Sequence, residues 1–176
     1  VGLGAGMDKL AAAVPAWAAL GFGFSELGGV TWHAQPGNPP PRVFRAIAGE
    51  AIVNHMGFNN PGAAALAQTL ADWRKQGCWP RHPVGINLGK SKITPLVQAA
   101  EDYANSFRVL RAHADFFVVN VSSPNTPNLR QLQDKAALDD LLAQAMDARA
   151  LGKPVFLKVA PDLQPADIDD IVQVAI

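Results

Sequence analysis

The sequence predicts an α/β domain built on a parallel sheet, and three observations carry that reading. Short apolar runs recur at "VGLGAG" (1–6), "FGFSELGGV" (22–30), "VGINLG" (84–89), "FFVVNVS" (116–122) and "PVFLKVAP" (154–161). Longer segments with helical spacing, rich in Ala, Leu and Gln, lie between most of them at 8–20, 61–76, 95–112 and 134–151. Polar residues and glycines gather where each run ends. Runs this short and apolar read as strands buried on both faces, and their alternation with helices joins them in parallel through right-handed crossovers. A closed barrel and an open doubly wound sheet both satisfy the pattern.

In chain order, the first run passes through "GAGMDK" into the helical segment 8–20, and the second closes on Gly28 and Gly29. Residues 31–60 then break the rhythm. Prolines stand at 36, 39, 40 and 41, and "RVFRAI" and "AIVN" flank a glycine-containing turn, which predicts a small hairpin in an insertion at about 36–60. From 61 onward helix and strand alternate again. One domain over 1–176 accounts for everything, with no linker, repeat or heptad. The chain opens without methionine and closes on "DIDDIVQVAI", a helical pattern still in progress, so the sequence reads as a fragment.

Composition narrows the function classes. Lys plus Arg and Asp plus Glu both number 15, so there is no basic excess to hold a polyanion, and no nucleic-acid partner is expected. Cys78 is the single cysteine, which excludes an internal disulfide and a paired-cysteine zinc site. No stretch approaches the ~20 apolar residues of a membrane-spanning helix. His33, His55, His82 and His113 lack metal spacing, and no G-x-S-x-G elbow supports a hydrolase serine. No metal is expected.

Chemistry concentrates at the strand ends. "GAGMDK", "GGVT", "NLGK", "NVSSPN" and "KVAPD" follow or finish five successive strands, the edge at which parallel α/β folds bind ligands. Gly4, Gly6, Gly28 and Gly29 would let a flat ligand approach the backbone, although a strand-end glycine taken singly is more often a turn. "GLGAGMDK" misses the dinucleotide fingerprint because its third glycine comes one residue early. Asn54, Asn87, Asn120 and Asn125 each offer a donor and an acceptor, matching the amide edges of a pyrimidine or flavin ring. Lys9 could meet a carboxylate. Lys158, inside the apolar "VFLKVA", could meet a reduced anionic cofactor, since a solvated face is hard to argue there.

Seven segments, "GLGAGMDK", "GNPPPRVFR", "NHMGFNNPG", "GINLGK", "DYANSFRVL", "VVNVSSPNTPNLRQLQ" and "LKVAPDL", together resemble the dihydroorotate dehydrogenase family in its quinone-dependent class 2 branch. They occur in the family's order and cover nearly the whole chain. The resemblance implies a (β/α)8 TIM barrel with FMN at its C-terminal face, of which this chain supplies roughly the first five β/α units. A complete barrel takes about 250 residues. It implies oxidation of dihydroorotate to orotate in pyrimidine biosynthesis, with a membrane quinone as final acceptor, reached through the family's N-terminal helical extension. Attachment would then be peripheral, at the cytoplasmic face of a bacterial inner membrane or at the mitochondrial inner membrane of a eukaryote.

Residue by residue, the resemblance makes Ser123 the catalytic base, at the position where class 1 relatives carry cysteine. It assigns orotate to Lys9, Asn54, Asn120 and Asn125, with His55, Met56, Gly57 and Phe58 lining the pocket through their backbone. It assigns FMN to Ala5, Gly6, Met7, Asp8 and Lys9, and to Gly29, Asn87, Asn120 and Lys158. Three departures stand out: Gly29 where Ser or Thr is usual, His55 for a common arginine, and Asn128 for a frequent glycine. The competing readings are a related flavin-dependent pyrimidine reductase, which would carry cysteine at 123, and a non-catalytic barrel fragment acting as an interaction module.

Overall fold

A computed structural model describes residues 1–126, 128–145 and 152–175. Among these residues the core is a four-stranded parallel sheet in the order β1 (Ser25–Val30), β4 (Val84–Leu88), β5 (Phe116–Asn120) and β6 (Val155–Lys158). A two-stranded antiparallel hairpin, β2 (Val43–Ala46) with β3 (Ala51–Asn54), stands apart from it. Helices α2 (Ala63–Lys75), α3 (Ala99–Leu110), α4 (Lys135–Ala145) and α5 (Pro165–Ala175) follow the strands, and a short α1 (Val14–Ala19) precedes β1. None of the described helices is long and apolar enough to cross a membrane.

The sheet's two faces differ, as strand periodicity requires. Leu27, Ile86 and Phe117 align in register across β1, β4 and β5 and are fully buried beneath the helices. Burying each such side chain stabilises the fold by about 1.5–3 kcal/mol. Phe107 of α3 meets Phe117 edge-on with ring centroids 4.7 Å apart, locking helix to strand. The opposite, concave face carries Phe24, Glu26, Phe116, Val118 and Phe156 around a cavity of about 860 Å³. Concavity on one face with helices on the other is the curvature of a barrel wall.

Several expectations change in detail. "VGLGAG" does not form a strand: Leu3 makes one parallel bridge to Ser25 before the glycines turn the chain away. The helix expected over 8–20 shrinks to α1, because the Asp8 carboxylate captures the N–H groups of Ala12 and Ala13 at 2.8 and 3.0 Å and Ala11 takes φ +54°. Pro15 then sits in the first turn of α1, where its missing N–H costs nothing. β6 is not buried on both faces: Phe156 and Lys158 are exposed, since no further described strand covers that edge. The hairpin lies inside the expected insertion and is exposed throughout. Of the helix expected over 134–151, residues 146–151 lie outside the described set, as does Pro127 of the β5 loop.

Candidate functional site

The strand-end loops converge on a small polar cavity of about 150 Å³. Its wall includes Ala5 and Gly6 from the N-terminal segment, Lys9, Gly29 at the end of β1, Asn87 on β4, Asn120 on β5 and Lys158 on β6. Asn54, Met56, Gly57 and Phe58 reach it from the hairpin's exit, and Ser123 and Asn125 from the loop after β5. Thirteen residues that span the whole chain thus meet where parallel strands point their C-terminal ends.

Local geometry explains how each is held. β1 carries a bulge: Gly28 pairs with Asn87 and Val30 with Leu88, leaving Gly29 as the extra residue. Gly28 has φ +104°, and a Cβ there would fall 2.7 Å from the carbonyl oxygen of Asn87, so only glycine fits. Gly28 therefore serves the backbone rather than a ligand's approach. Cβ atoms built on Gly4 and Gly6 meet nothing within 4 Å, which leaves that side of the site open. At Gly29 the space a side chain would take is filled by the ring of Phe58, 2.8 Å from the ideal Cβ.

Lys9 is half-buried and donates to Oδ1 of Asn59 at 3.0 Å. Desolvation, and secondarily the charge of Arg42, push its pKa below the ordinary lysine value. With no carboxylate partner among the described residues, an ammonium in this setting gains most from an anionic ligand. Asn125 Nδ2 reaches the carbonyl oxygen of Asn54 at 3.4 Å, bringing the β5 loop and the hairpin exit together. The two serines of that loop differ in commitment. Ser122 donates both its N–H, at 3.0 Å, and its hydroxyl, at 2.7 Å, to Oδ1 of Asn120. Ser123 Oγ only accepts, from the N–H of Asn125 at 3.3 Å, so its own proton has no protein acceptor among the described residues.

Three assigned residues stay outside the cavity. The Met7 side chain is 71% exposed. Asp8 is buried, its carboxylate held by the Ala12 and Ala13 amides and by Trp17 Nε1 at 2.9 Å, which makes it a clamp on the loop before α1. His55 stacks on Phe44 across the hairpin with centroids 5.8 Å apart. Lys158 does line the site but is exposed rather than enclosed. The third departure has a backbone reason: Asn128 adopts φ +59°, a left-handed conformation that asparagine tolerates best after glycine.

Structure also reveals supports that sequence reading passed over. Glu26 accepts from Asn87 Nδ2 at 2.6 Å. Buried Asn60 latches the hairpin exit to β1, donating to Thr31 Oγ1 and to the Phe58 carbonyl and accepting from the N–H groups of Thr31 and Gly62. Arg130 donates to the Ser122 carbonyl at 3.1 Å and to Asp162 at 3.0 Å, tying the β5 loop to the loop after β6. Glu26 had a visible signal, a charge inside an apolar strand, which demands a partner.

A parallel barrel wall with amides, a desolvated lysine and an uncommitted serine gathered at its strand ends defines a (β/α) barrel protein with a polar site at the C-terminal edge of its sheet. The family model for dihydroorotate dehydrogenase matches residues 1–176, and the chain belongs to that family. A protein named dihydroorotate dehydrogenase (quinone) from Trichormus variabilis is 56% identical over 175 residues, covering 99% of this chain and 46% of the relative. One of the same name from Gloeobacter violaceus is 56% identical over 172 residues, covering 98% and 47%. A crystal structure of the Eimeria tenella enzyme in complex with ferulenol superposes with TM-score 0.89 at 34% identity, covering 99% of this chain and 52% of that one. The chain spans about half the length of these relatives, and its fold is that of the first units of their barrel.

Proposed function

We propose that this chain forms the first part of the barrel of an enzyme that oxidises dihydroorotate to orotate, with FMN as hydride acceptor and a quinone as final acceptor, in the synthesis of UMP. The observation that carries this reading is the convergence of Lys9, Asn54, Asn120, Ser123 and Asn125 on one cavity. Family membership supports it.

In this reading the substrate carboxylate lies against Lys9, and the ring amides face Asn54 and Asn125, which can donate and accept, and Asn120, which can donate because its Oδ1 is taken by Ser122. Ser123 would take the proton from C5 as its own hydroxyl proton passes to water, while hydride leaves C6, so the C5–C6 bond becomes double. Ser122 cannot play this part, because its hydroxyl already donates to Asn120.

The residues fit FMN at its polar ring edge. Asn87 and Asn120 offer amide N–H groups, Lys158 a cation, and Gly4 and Gly6 leave open space where a Cβ would intrude. FMN, when bound, supplies the hydride acceptance and the passage of electrons to quinone. Lys158 would hold the side of the ring that gains negative charge. Ala5 and Gly6 would approach the ring with backbone, whereas Met7 and Asp8 act through the course of the chain alone. Quinone reduction places the complete protein at a membrane surface, reached through the helical extension that class 2 members carry.

The test is an anaerobic dihydroorotate titration of the full-length protein loaded with FMN, following loss of oxidised-flavin absorbance. Ser123→Ala should keep FMN and orotate binding and slow flavin reduction about 10²–10⁴-fold, the usual share of a general base. Unchanged reduction would refute the base assignment. A wild-type protein that holds FMN yet is not reduced would refute the substrate.

A further inference from the structure

The two buried amides of the cavity are not free to choose their orientation. Asn120 Oδ1 accepts the backbone N–H of Ser122 at 3.0 Å, and a backbone N–H can only donate. Asn120 Nδ2 therefore faces β4 and donates to Asn87 Oδ1 at 3.0 Å. Asn87 Nδ2 in turn donates to Glu26 Oε1 at 2.6 Å. The chain runs across β5, β4 and β1, and the Ser122 N–H at its β5 end fixes the direction of every bond in it.

That direction decides what the cavity wall offers. Each amide spends one Nδ2 hydrogen on the chain and retains a second with no protein acceptor among the described residues, and both residues line the cavity. A ligand edge beside them meets N–H donors, not carbonyl oxygens. Reversal would turn acceptors toward the ligand, and repel a ring carbonyl or an unprotonated ring nitrogen.

Glu26 itself has no other reason to be charged. It lies on the concave face beside Phe24, Phe116 and Val118, at the wall of the large apolar cavity, and among the described residues no Lys, Arg or His approaches it within salt-bridge distance. An apolar side chain would suit that face better, because burying part of a carboxylate is costly unless it is hydrogen-bonded. Its recorded partner is Asn87.

We propose that Glu26 is a positioning residue: by fixing Asn87, and through it Asn120, it sets the wall as a pair of donors for a flat ligand whose edge carries two acceptors. The proposal rests on the reading that FMN and orotate occupy this cavity. It assigns Glu26 no contact with either.

The experiment uses the full-length protein with Glu26→Leu and Glu26→Gln, and reads three quantities. These are FMN affinity, orotate affinity from the flavin absorbance shift, and the Asn87 side-chain amide resonances of ligand-free, ¹⁵N-asparagine-labelled protein. Glu26→Leu should weaken both ligands about tenfold, the order of one buried hydrogen bond, and expose the Asn87 amide to rapid solvent exchange. Glu26→Gln, whose carboxamide oxygen still accepts from Asn87, should stay within about threefold of wild type and keep the resonances in place. If Glu26→Leu does not fold, Glu26→Asp, which keeps the charge but withdraws it from Asn87, carries the same expectation. Unaltered ligand affinities, equal losses in the Leu and Gln variants, or an undisturbed Asn87 amide would each overturn the proposal. If the Asn87 amide responds as stated while wild-type protein takes up neither ligand, the positioning holds and the functional reading falls.

Discussion

Gly29 offers the sharpest test of how the cavity wall is packed. A Cβ built there lies 2.8 Å from Cδ1 and Cε1 of Phe58 and 3.1 Å from Oδ1 of Asn87. Favourable carbon–carbon contact begins near ~3.5 Å, so Gly29→Ala forces a shift of roughly 0.7 Å. The ring cannot simply retreat. On its other edge Phe58 is pressed against Gly89, whose ideal Cβ would lie 2.8 Å from Cε2, and its backbone is held at φ +52°. Overpacking of this kind costs about 1–3 kcal/mol. Phe58→Leu, by removing the ring edge, should cut the cost of Gly29→Ala to below about 1 kcal/mol, which makes the two substitutions non-additive. The assay is denaturant unfolding of the four proteins of this double-mutant cycle, in the full-length chain. An equal cost of Gly29→Ala beside Phe and beside Leu would show that the ring does not occupy the space. It would also leave the absence of Ser or Thr at 29 without a steric reason.

Lys9 and Asn60 carry further expected outcomes at the same site. Lys9 carries a pKa lowered by burial and by Arg42. Its ammonium is therefore lost at a pH below the ordinary 10.5, and orotate affinity should fall as pH rises toward that value. Lys9→Arg, always charged, should abolish the fall, whereas Lys9→Ala should weaken orotate about tenfold at neutral pH with a smaller effect on FMN. For unliganded protein the sign is opposite. Between the lowered folded pKa and the unfolded one, the unfolded chain binds more protons, so stability rises with pH in that window. Asn60→Ala strips partners from the N–H groups of Thr31 and Gly62 and from the Phe58 carbonyl, and should cost about 2–4 kcal/mol in denaturant unfolding. A loss below about 1 kcal/mol would mean that water replaces it.

What the sequence disclosed and what it hid separate along a physical line. Strands β4 and β5 were legible because "VGINLG" and "FFVVNVS" are buried on both sides by this chain's own residues. "PVFLKVAP" has the same composition, yet Phe156 and Lys158 are exposed, since burial depends on a neighbour that composition cannot supply. The helix over 8–20 failed for a different reason. Pro15 was a readable start signal, but the capture of Ala12 and Ala13 by Asp8 is a side-chain event that periodicity does not register. In the site, residue types at strand ends were enough to gather Lys9, Asn54, Asn87, Asn120 and Asn125, because topology brings those ends together whatever lies between them, whereas Ser123 was singled out by the family resemblance alone. Asn59 and Glu26 escaped because their partners are 50 and 61 residues away in the sequence.

The same topology explains why half a barrel can carry so much of a site. Side chains on neighbouring parallel strands stand in register, so Gly28, Asn87 and Val118 form one row, and Asn120 and Lys158 another two residues further along β5. Hydrogen bonds along such rows need only adjacent strands, and the relay from Ser122 to Glu26 crosses no more than three of them. Enclosure is a different property. The concave cavity of about 860 Å³, walled by Phe24, Phe116 and Phe156, stays open as long as no strand lies beyond β6. An arrangement of donors set by neighbours thus precedes the exclusion of water, and the two can be perturbed separately. Substitutions at Glu26 or Asn87 should alter which atoms the wall presents, whereas substitutions at Phe116 or Phe156 should alter how dry the space beneath it is.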